Sequence, residues 1–249
     1  LVILICNKKD KIFKLFILII ILSYVLVFLS GERSAFFNIN LSAILLIIFS
    51  QKLLKLRLFS LLSGIIILVI ISFINPTAKE RLFDQTINQM KVDDDKPEQI
   101  YIFSKQHTHH YITAYKMFLD HKLLGVGIKN FRNFCDNDKY KTSNLSCSTH
   151  PHNTYIQILA ETGIIGFSFL LIALFYFCKY LYHHFILKFK SNYYFTDFEI
   201  CVLSGIAIYL WPFVPTGNVF TNWLSIAMFI NIPFFIWSRN SIKINNINN

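Results

Sequence analysis

The stretch Asn153-Thr154-Tyr155-Ile156-Gln157-Ile158-Leu159-Ala160-Glu161-Thr162-Gly163-Ile164-Ile165-Gly166-Phe167 continues uncharged to Phe177. A helix of about 20 mostly apolar residues crosses the hydrocarbon of a bilayer. Residues 153–177 meet that length with one charge, Glu161. A segment of this kind makes lipid the solvent for at least part of the chain.

The composition extends that conclusion to the whole chain. Of 249 residues, 54% are hydrophobic and 15% charged, Phe occurs 26 times, and the mean hydropathy is +0.48. An ordinary soluble domain carries about 25% charged residues. Disorder, a nucleic-acid-binding arm and a conventional soluble enzyme are excluded. The expected fold is an all-α polytopic membrane protein with about six spans, near 12–30, 35–50, 58–75, 153–177, 198–214 and 219–237. Residues 1–75 hold the tail of an earlier helix and three spans, 76–152 a large, partly helical external loop, 153–240 three more spans, and 241–249 a frayed tail. With no Met at its start and a lysine-rich flank after Leu1–Cys6, the sequence reads as the C-terminal part of a longer protein.

The net charge of +10 is a topology signal. Lys8, Lys9, Lys11, Lys14, Lys52, Lys55, Arg57, Lys179, Lys188, Lys190, Arg239 and Lys243 all fall on one side if six helices alternate, and only Arg33 lies in a short loop opposite. Lys and Arg in short loops mark the cytoplasmic side. Both ends are therefore expected in the cytoplasm of a bacterial inner membrane, with 76–152 in the periplasm. Within that loop, Asp93–Glu98 reads as a solvated turn, Tyr111–Leu119 has helical spacing, and Gly125-Val126-Gly127 makes a tight turn.

Cys135 and Cys147 lie in this loop with eleven residues between them. An oxidising compartment favours a disulfide, and no Cys-x-x-Cys spacing is present. A Cys/His metal site with His150 and His152 is the competing reading. His107, His109 and His110 form a second histidine group, read chiefly as solvent-facing or internally satisfied.

Around the opening stretch, Thr149 or His150 is expected to cap a helix with Pro151 in its first turn. That puts His152 at the membrane boundary, a neutral potential base near the positive end of the helix dipole. Asn153, Gln157 and Glu161 recur at i, i+4, i+8 as one polar stripe. A carboxylate at that depth needs a partner or water, so Glu161 either links helices or lines a wet cavity. Arg33 is either a snorkelling anchor or an anion-binding group.

His152-Asn153-x-Tyr155-x-Gln157-x-Leu159-x-Glu161-x-Gly163-x-x-Gly166 closely resembles the signature of the O-antigen ligase and polymerase-like family of bacterial membrane proteins. Gly31-Glu32-Arg33-Ser34-Ala35 is similar to that family's Arg-containing motif between two helices. Leu123-Leu124-Gly125-Val126-Gly127-Ile128-x-Asn130-Phe131 resembles its pre-signature turn.

The resemblance implies glycosyl transfer at the periplasmic face of the inner membrane, without metal or cofactor. The donor is an undecaprenyl-diphosphate-linked glycan. The acceptor is a lipid A-core sugar in a ligase and another carrier-linked repeat unit in a polymerase. It implies His152 as the base for the attacking hydroxyl, with inversion, and Arg33 on the diphosphate, where a guanidinium suits phosphate oxygens. Asn153 and Glu161 join the substrate-binding candidates. The family often carries a further Arg in the large loop, where Gln106–Tyr111 has none. Arg81, Arg132 or a protonated His110 are the substitutes. The rival readings are a transporter or channel subunit, which calls for broken helices in paired halves, and a metal- or haem-binding protein.

Overall fold

The helices of the chain begin and end where local chemistry dictates. Asn153 Oδ1 accepts the amides of Tyr155 and Ile156 at 3.0 and 3.2 Å, satisfying two donors that the first turn of a helix leaves orphaned. Thr196 and Glu199 exchange hydrogen bonds as a capping box, Glu199 N–H to Thr196 Oγ1 at 3.2 Å and Thr196 N–H to Glu199 Oε2 at 2.8 Å. Ser104 Oγ accepts the His107 amide at 3.4 Å.

A computed structural model describes residues 11–52, 54–74, 76–90 and 103–247. In chain order the helices are α1 (Lys11–Ser30), α2 (Arg33–Phe49), α3 (Leu54–Ile74), α4 (Pro76–Lys79), a π-helical turn (Glu80–Asp84), α5 (Gln85–Met90), α6 (Lys105–Asp120), α7 (Phe131–Phe134), α8 (Thr154–Phe189), α9 (Asp197–Tyr209), α10 (Asn222–Phe229) and α11 (Asn231–Ile247). No strand occurs among the described residues, and the fold is all-α. The Asp93–Glu98 turn lies outside the described residues.

The chain divides into two compact units, one of Leu1–Leu82, Tyr180–Tyr209 and Met228–Asn249, the other of Phe83–Lys179 and Leu210–Ala227. In the first, α2 packs against α1, α3 and α9, and α9 packs against α11. Asp197 fastens α9 to the end of α2 by accepting Ser50 Oγ–H at 2.9 Å and the Lys52 amide at 3.0 Å. The second unit has a core of Ala114 and Met117 from α6, Phe131, Cys135, Tyr140 and Ala160.

One helix among the described residues, α8, is long and apolar enough to cross a bilayer; the apolar stretches Leu18–Ser30, Arg33–Phe49 and Arg57–Ile67 are shorter. Two of the six expected spans are cut. The fifth stops at Tyr209. The sixth is two helices, α10 and α11, because Pro233 has no amide for the carbonyl of Phe229 and its ring crowds that carbonyl. The tail expected to fray after Ser241 stays helical through Ile247.

Candidate functional site: a histidine cluster at the head of α8

His152 sits just outside α8 with φ 61°, a left-handed conformation that is uncommon for a residue with a side chain. That conformation ends any helical path through Pro151, so Asn153 caps α8 in place of the expected Thr149 or His150. The carbonyl of His152 accepts the Thr216 amide at 2.9 Å. Its Nε2 lies 2.9 Å from Ser148 Oγ, and its Nδ1 makes no hydrogen bond among the described residues.

Three other imidazoles surround it. Ring centroids stand 4.0 Å away at His150, 5.4 Å at His107 and 5.5 Å at His110. His107 and His110 share one face of α6. His109 points elsewhere, with Nδ1 3.0 Å from Thr142 Oγ1. His110 is completely buried, and neither ring nitrogen has a hydrogen-bond partner. Burial, reinforced by His152, His107 and His150, pushes its pKa down to about 4, against a raising influence of the Cys147 backbone, which lies outside hydrogen-bond geometry. His110 is therefore neutral near pH 7. Burial, then His150, holds His152 below the ordinary histidine value. His150 is lowered too, first by burial, with the Thr216 carbonyl opposing and Arg132 and His107 adding to the shift.

Beside the cluster, the Tyr111 hydroxyl is buried next to Asn153 but outside hydrogen-bond geometry, and burial, opposed by Asn153, pushes its pKa up to about 12. Among the described residues no group of three His, Cys, Asp or Glu side chains is arranged to hold a metal ion.

The segment 210–219 holds this head of α8 like a strap. Asn153 Nδ2 donates to the Pro212 carbonyl at 2.8 Å. His150 Nε2 lies 3.2 Å from the Thr216 carbonyl, and the hydroxyls of Thr154 and Thr216 are 3.0 Å apart. Tyr155 Oη–H donates to the Leu210 carbonyl. Gln157 Nε2 donates to Asn218 Oδ1 at 2.8 Å, and its Oε1 accepts the Val219 amide at 3.2 Å. With these bonds Asn153 is cap and clamp at once, and it is buried. Sequence reasoning missed Ser148, Thr216 and Asn218. The available signal was the polar, proline-punctuated run Pro212–Asn218 between two apolar helices.

Glu161 is 1% exposed, and three donors occupy it. The amides of Lys129 and Phe131 reach Oε2 and Oε1 at 3.0 and 3.1 Å, and Gln157 Nε2 reaches Oε2 at 3.1 Å. This burial and these three donors favour the hydrogen-bonding reading of Glu161.

Two residues beyond Glu161, α8 breaks. Gly163 has φ 64° and ψ −165°. In a continuous helix the amides of Ile164 and Ile165 would bond the carbonyls of Ala160 and Glu161. Here they donate instead to Lys122 and Leu123 carbonyls at 2.8 and 3.4 Å, while Val126 and Gly127 amides take Ala160 and Glu161 carbonyls at 2.9 and 3.0 Å. A turn from the polar segment is spliced into the helix. A Cβ at Gly163 would strike the Leu123 carbonyl, and one at Gly125 the Glu161 carbonyl carbon. The two glycines permit this backbone contact.

Cys135 and Cys147 are joined by a disulfide that closes the loop leading to Ser148. Arg132, exposed on α7, has no acidic partner among the described residues and lies close enough to His150 to oppose its charging. In the other unit, Gly31 turns with φ 66° into α2, whose first residue is the exposed Arg33. Anions are favoured at such a helix N-terminus. The aliphatic stem of Arg81 lies against Gly31, with Cδ 3.0 Å from where a Cβ would stand.

The sequence profile of the O-antigen ligase family matches residues 16–171, well over half of the chain. The chain belongs to the O-antigen ligase family. The match takes in the Arg33 turn, the spliced turn and the His152–Gly166 signature, and leaves the strap outside. Membership makes the chain a membrane protein of O-antigen ligase or polymerase type, in a family of inner-membrane proteins that act on lipid-linked glycans. No match was found among curated proteins, and none among solved structures.

Proposed function

We propose that the chain is the catalytic portion of an O-antigen ligase. It transfers a glycan from undecaprenyl diphosphate to a sugar of the lipid A core at the periplasmic face of the inner membrane. The observation that carries the reading is His152, neutral, strapped through its backbone and with Nδ1 unbonded. With Nε2–H donated to Ser148 Oγ, Nδ1 carries the lone pair. It takes the proton of the acceptor hydroxyl as that oxygen bonds to the anomeric carbon. The bond from the anomeric carbon to the diphosphate oxygen breaks, and the diphosphate leaves with the electron pair. Attack opposite the leaving group inverts the centre.

The leaving diphosphate needs charge stabilisation more than a general acid. Arg33 is the proposed ligand, with Arg81 beside the same Gly31 turn as the further arginine. Asn153 and Glu161 support the site without touching substrate. The proposed topology keeps both ends cytoplasmic and 76–152 periplasmic. A permeation path is disfavoured, because the break at Gly163 has its backbone groups occupied by residues 122–127.

The test is complementation of a ligase-deficient strain with the full-length gene, read by lipopolysaccharide laddering. Wild type should restore capped lipopolysaccharide, and His152→Ala and Arg33→Ala should fail at normal membrane abundance. Restoration by His152→Ala would refute the base. Failure of wild type, with rescue instead of a strain that adds only one repeat unit, would make the protein a polymerase.

A further inference from the structure

The turn Lys122-Leu123-Leu124-Gly125-Val126-Gly127-Ile128-Lys129 belongs by sequence to the long polar segment, yet its tip is apolar and uncovered. Leu123, Leu124 and Ile128 are 67, 72 and 58% exposed. They continue an exposed stripe on α6, Ile112, Tyr115 and Leu119, which lies opposite the buried face of His110, Thr113, Ala114 and Met117. In water such a surface would be a liability.

Its hydrogen bonds tie it to α8. The turn is bonded by four backbone contacts to residues 160–165 of α8, the one helix here long enough to span a bilayer. Gly163 lies nine residues past Thr154, about 13 Å along the helix at about 1.5 Å per residue. The neighbouring Ile164 and Ile165 are themselves exposed apolar residues on that span. Irregular backbone at such depth is tolerated only when its polar groups are satisfied by protein. That condition is met here by exchange with the broken helix. Exposed lysines stand at both ends of the turn, Lys122 and Lys129. Such side chains reach back to lipid phosphates while their stems lie along apolar surface.

We propose that residues 122–129 form a re-entrant loop that inserts its Leu123-Leu124 tip and Ile128 into the hydrocarbon of the bilayer, with Lys122 and Lys129 on anionic headgroups. The occupant of this surface is lipid, not a partner protein. The loop anchors the segment that carries His107, His110 and the disulfide to the membrane. The inference rests on α8 as a spanning helix and is independent of which glycan is transferred, because depth is read without substrate.

The test is nitroxide depth measurement on the full-length protein in vesicles of phosphatidylethanolamine and phosphatidylglycerol. Leu124→Cys is labelled in a background with every cysteine other than Cys135 and Cys147 changed to Ser, and Ile128→Cys gives a second reading if Leu124→Cys fails to fold. The exposed Asn144, as Asn144→Cys, is the aqueous reference. The oxygen-to-nickel collision ratio at Leu124 should exceed that at Asn144 at least about fivefold, because a polar nickel complex avoids hydrocarbon. Lys122→Glu with Lys129→Glu should lower the ratio. A ratio equal to that at Asn144 overturns the proposal by placing the loop in water. Low accessibility to both reagents overturns it by showing that protein covers the loop.

Discussion

The amide of Thr216 donates to the carbonyl of His152 at 2.9 Å, while the carbonyl of Thr216 faces His150 Nε2 at 3.2 Å. One residue, more than sixty positions along the chain, thus fixes the backbone of one histidine and the ring of the next. Removing the amide tests this directly. Thr216→Pro should lower kcat by about tenfold or more, since small misplacements of a reacting group are costly. Thr216→Val keeps both backbone groups and should stay within about threefold, the scale of one modest hydrogen bond. Equal effects of the two substitutions, at matched membrane abundance, would remove the strap from the mechanism.

The pH dependence has a defined sign. As the proposed base, His152 is active when unprotonated, and burial with His150 lowers its pKa. The acid limb of kcat/KM should therefore fall below the ordinary histidine value of about 6.5. A limb at or above that value would contradict the base assignment.

Stability follows from His110. Its folded pKa of about 4 lies below an unfolded value of about 6.5. Below pH 6.5 the unfolded chain binds a proton that the folded chain refuses. The stabilisation present above that pH is lost as pH falls toward 4, at about 1.4 kcal/mol per unit and about 3 kcal/mol in all. Thermal midpoints of the purified protein at pH about 7.5 and about 5 should separate, and His110→Phe should narrow the gap.

Gly163→Ala should lower the folded fraction sharply. The new methyl meets the Leu123 carbonyl, and φ 64° strains any side chain. The cost is about 1–3 kcal/mol for the backbone conformation before the collision is counted. Unaltered thermal stability of that variant would mean that the splice is absent.

Glu161→Gln separates fixture from ligand. The amide nitrogen of Gln would face backbone donors where an oxygen now accepts, costing about 1–3 kcal/mol of stability. KM of the surviving folded enzyme should be unchanged. A raised KM with unchanged stability would restore Glu161 to the substrate.

Much of this was legible in the residues. The i, i+4, i+8 recurrence of Asn153, Gln157 and Glu161 marked one polar face, and the arginine between α1 and α2 stood out against the charge bias. The cap was not legible, because Pro151 fits a first helical turn as well as it fits the preceding loop. Only the left-handed backbone of His152 decides between them. The strap was illegible for a related reason. Several of its bonds end on main-chain atoms at Leu210, Pro212, Thr216 and Val219, which carry no side-chain signature. The hydropathy of 219–237 concealed a break that Pro233 imposes, and the histidines at 107, 109 and 110 divide between two faces that spacing alone left open.

The exchange of hydrogen bonds at Gly163 makes two distant stretches of sequence answerable to each other. The amides of Ile164 and Ile165 find their acceptors at Lys122 and Leu123, some forty positions earlier, and Val126 and Gly127 find theirs at Ala160 and Glu161. A residue inserted within the turn throws these paired bonds out of register together. A residue inserted beside the exposed Asn144 leaves them all in place. The length of the intervening segment is free to drift, while the spacing inside each docked stretch is not.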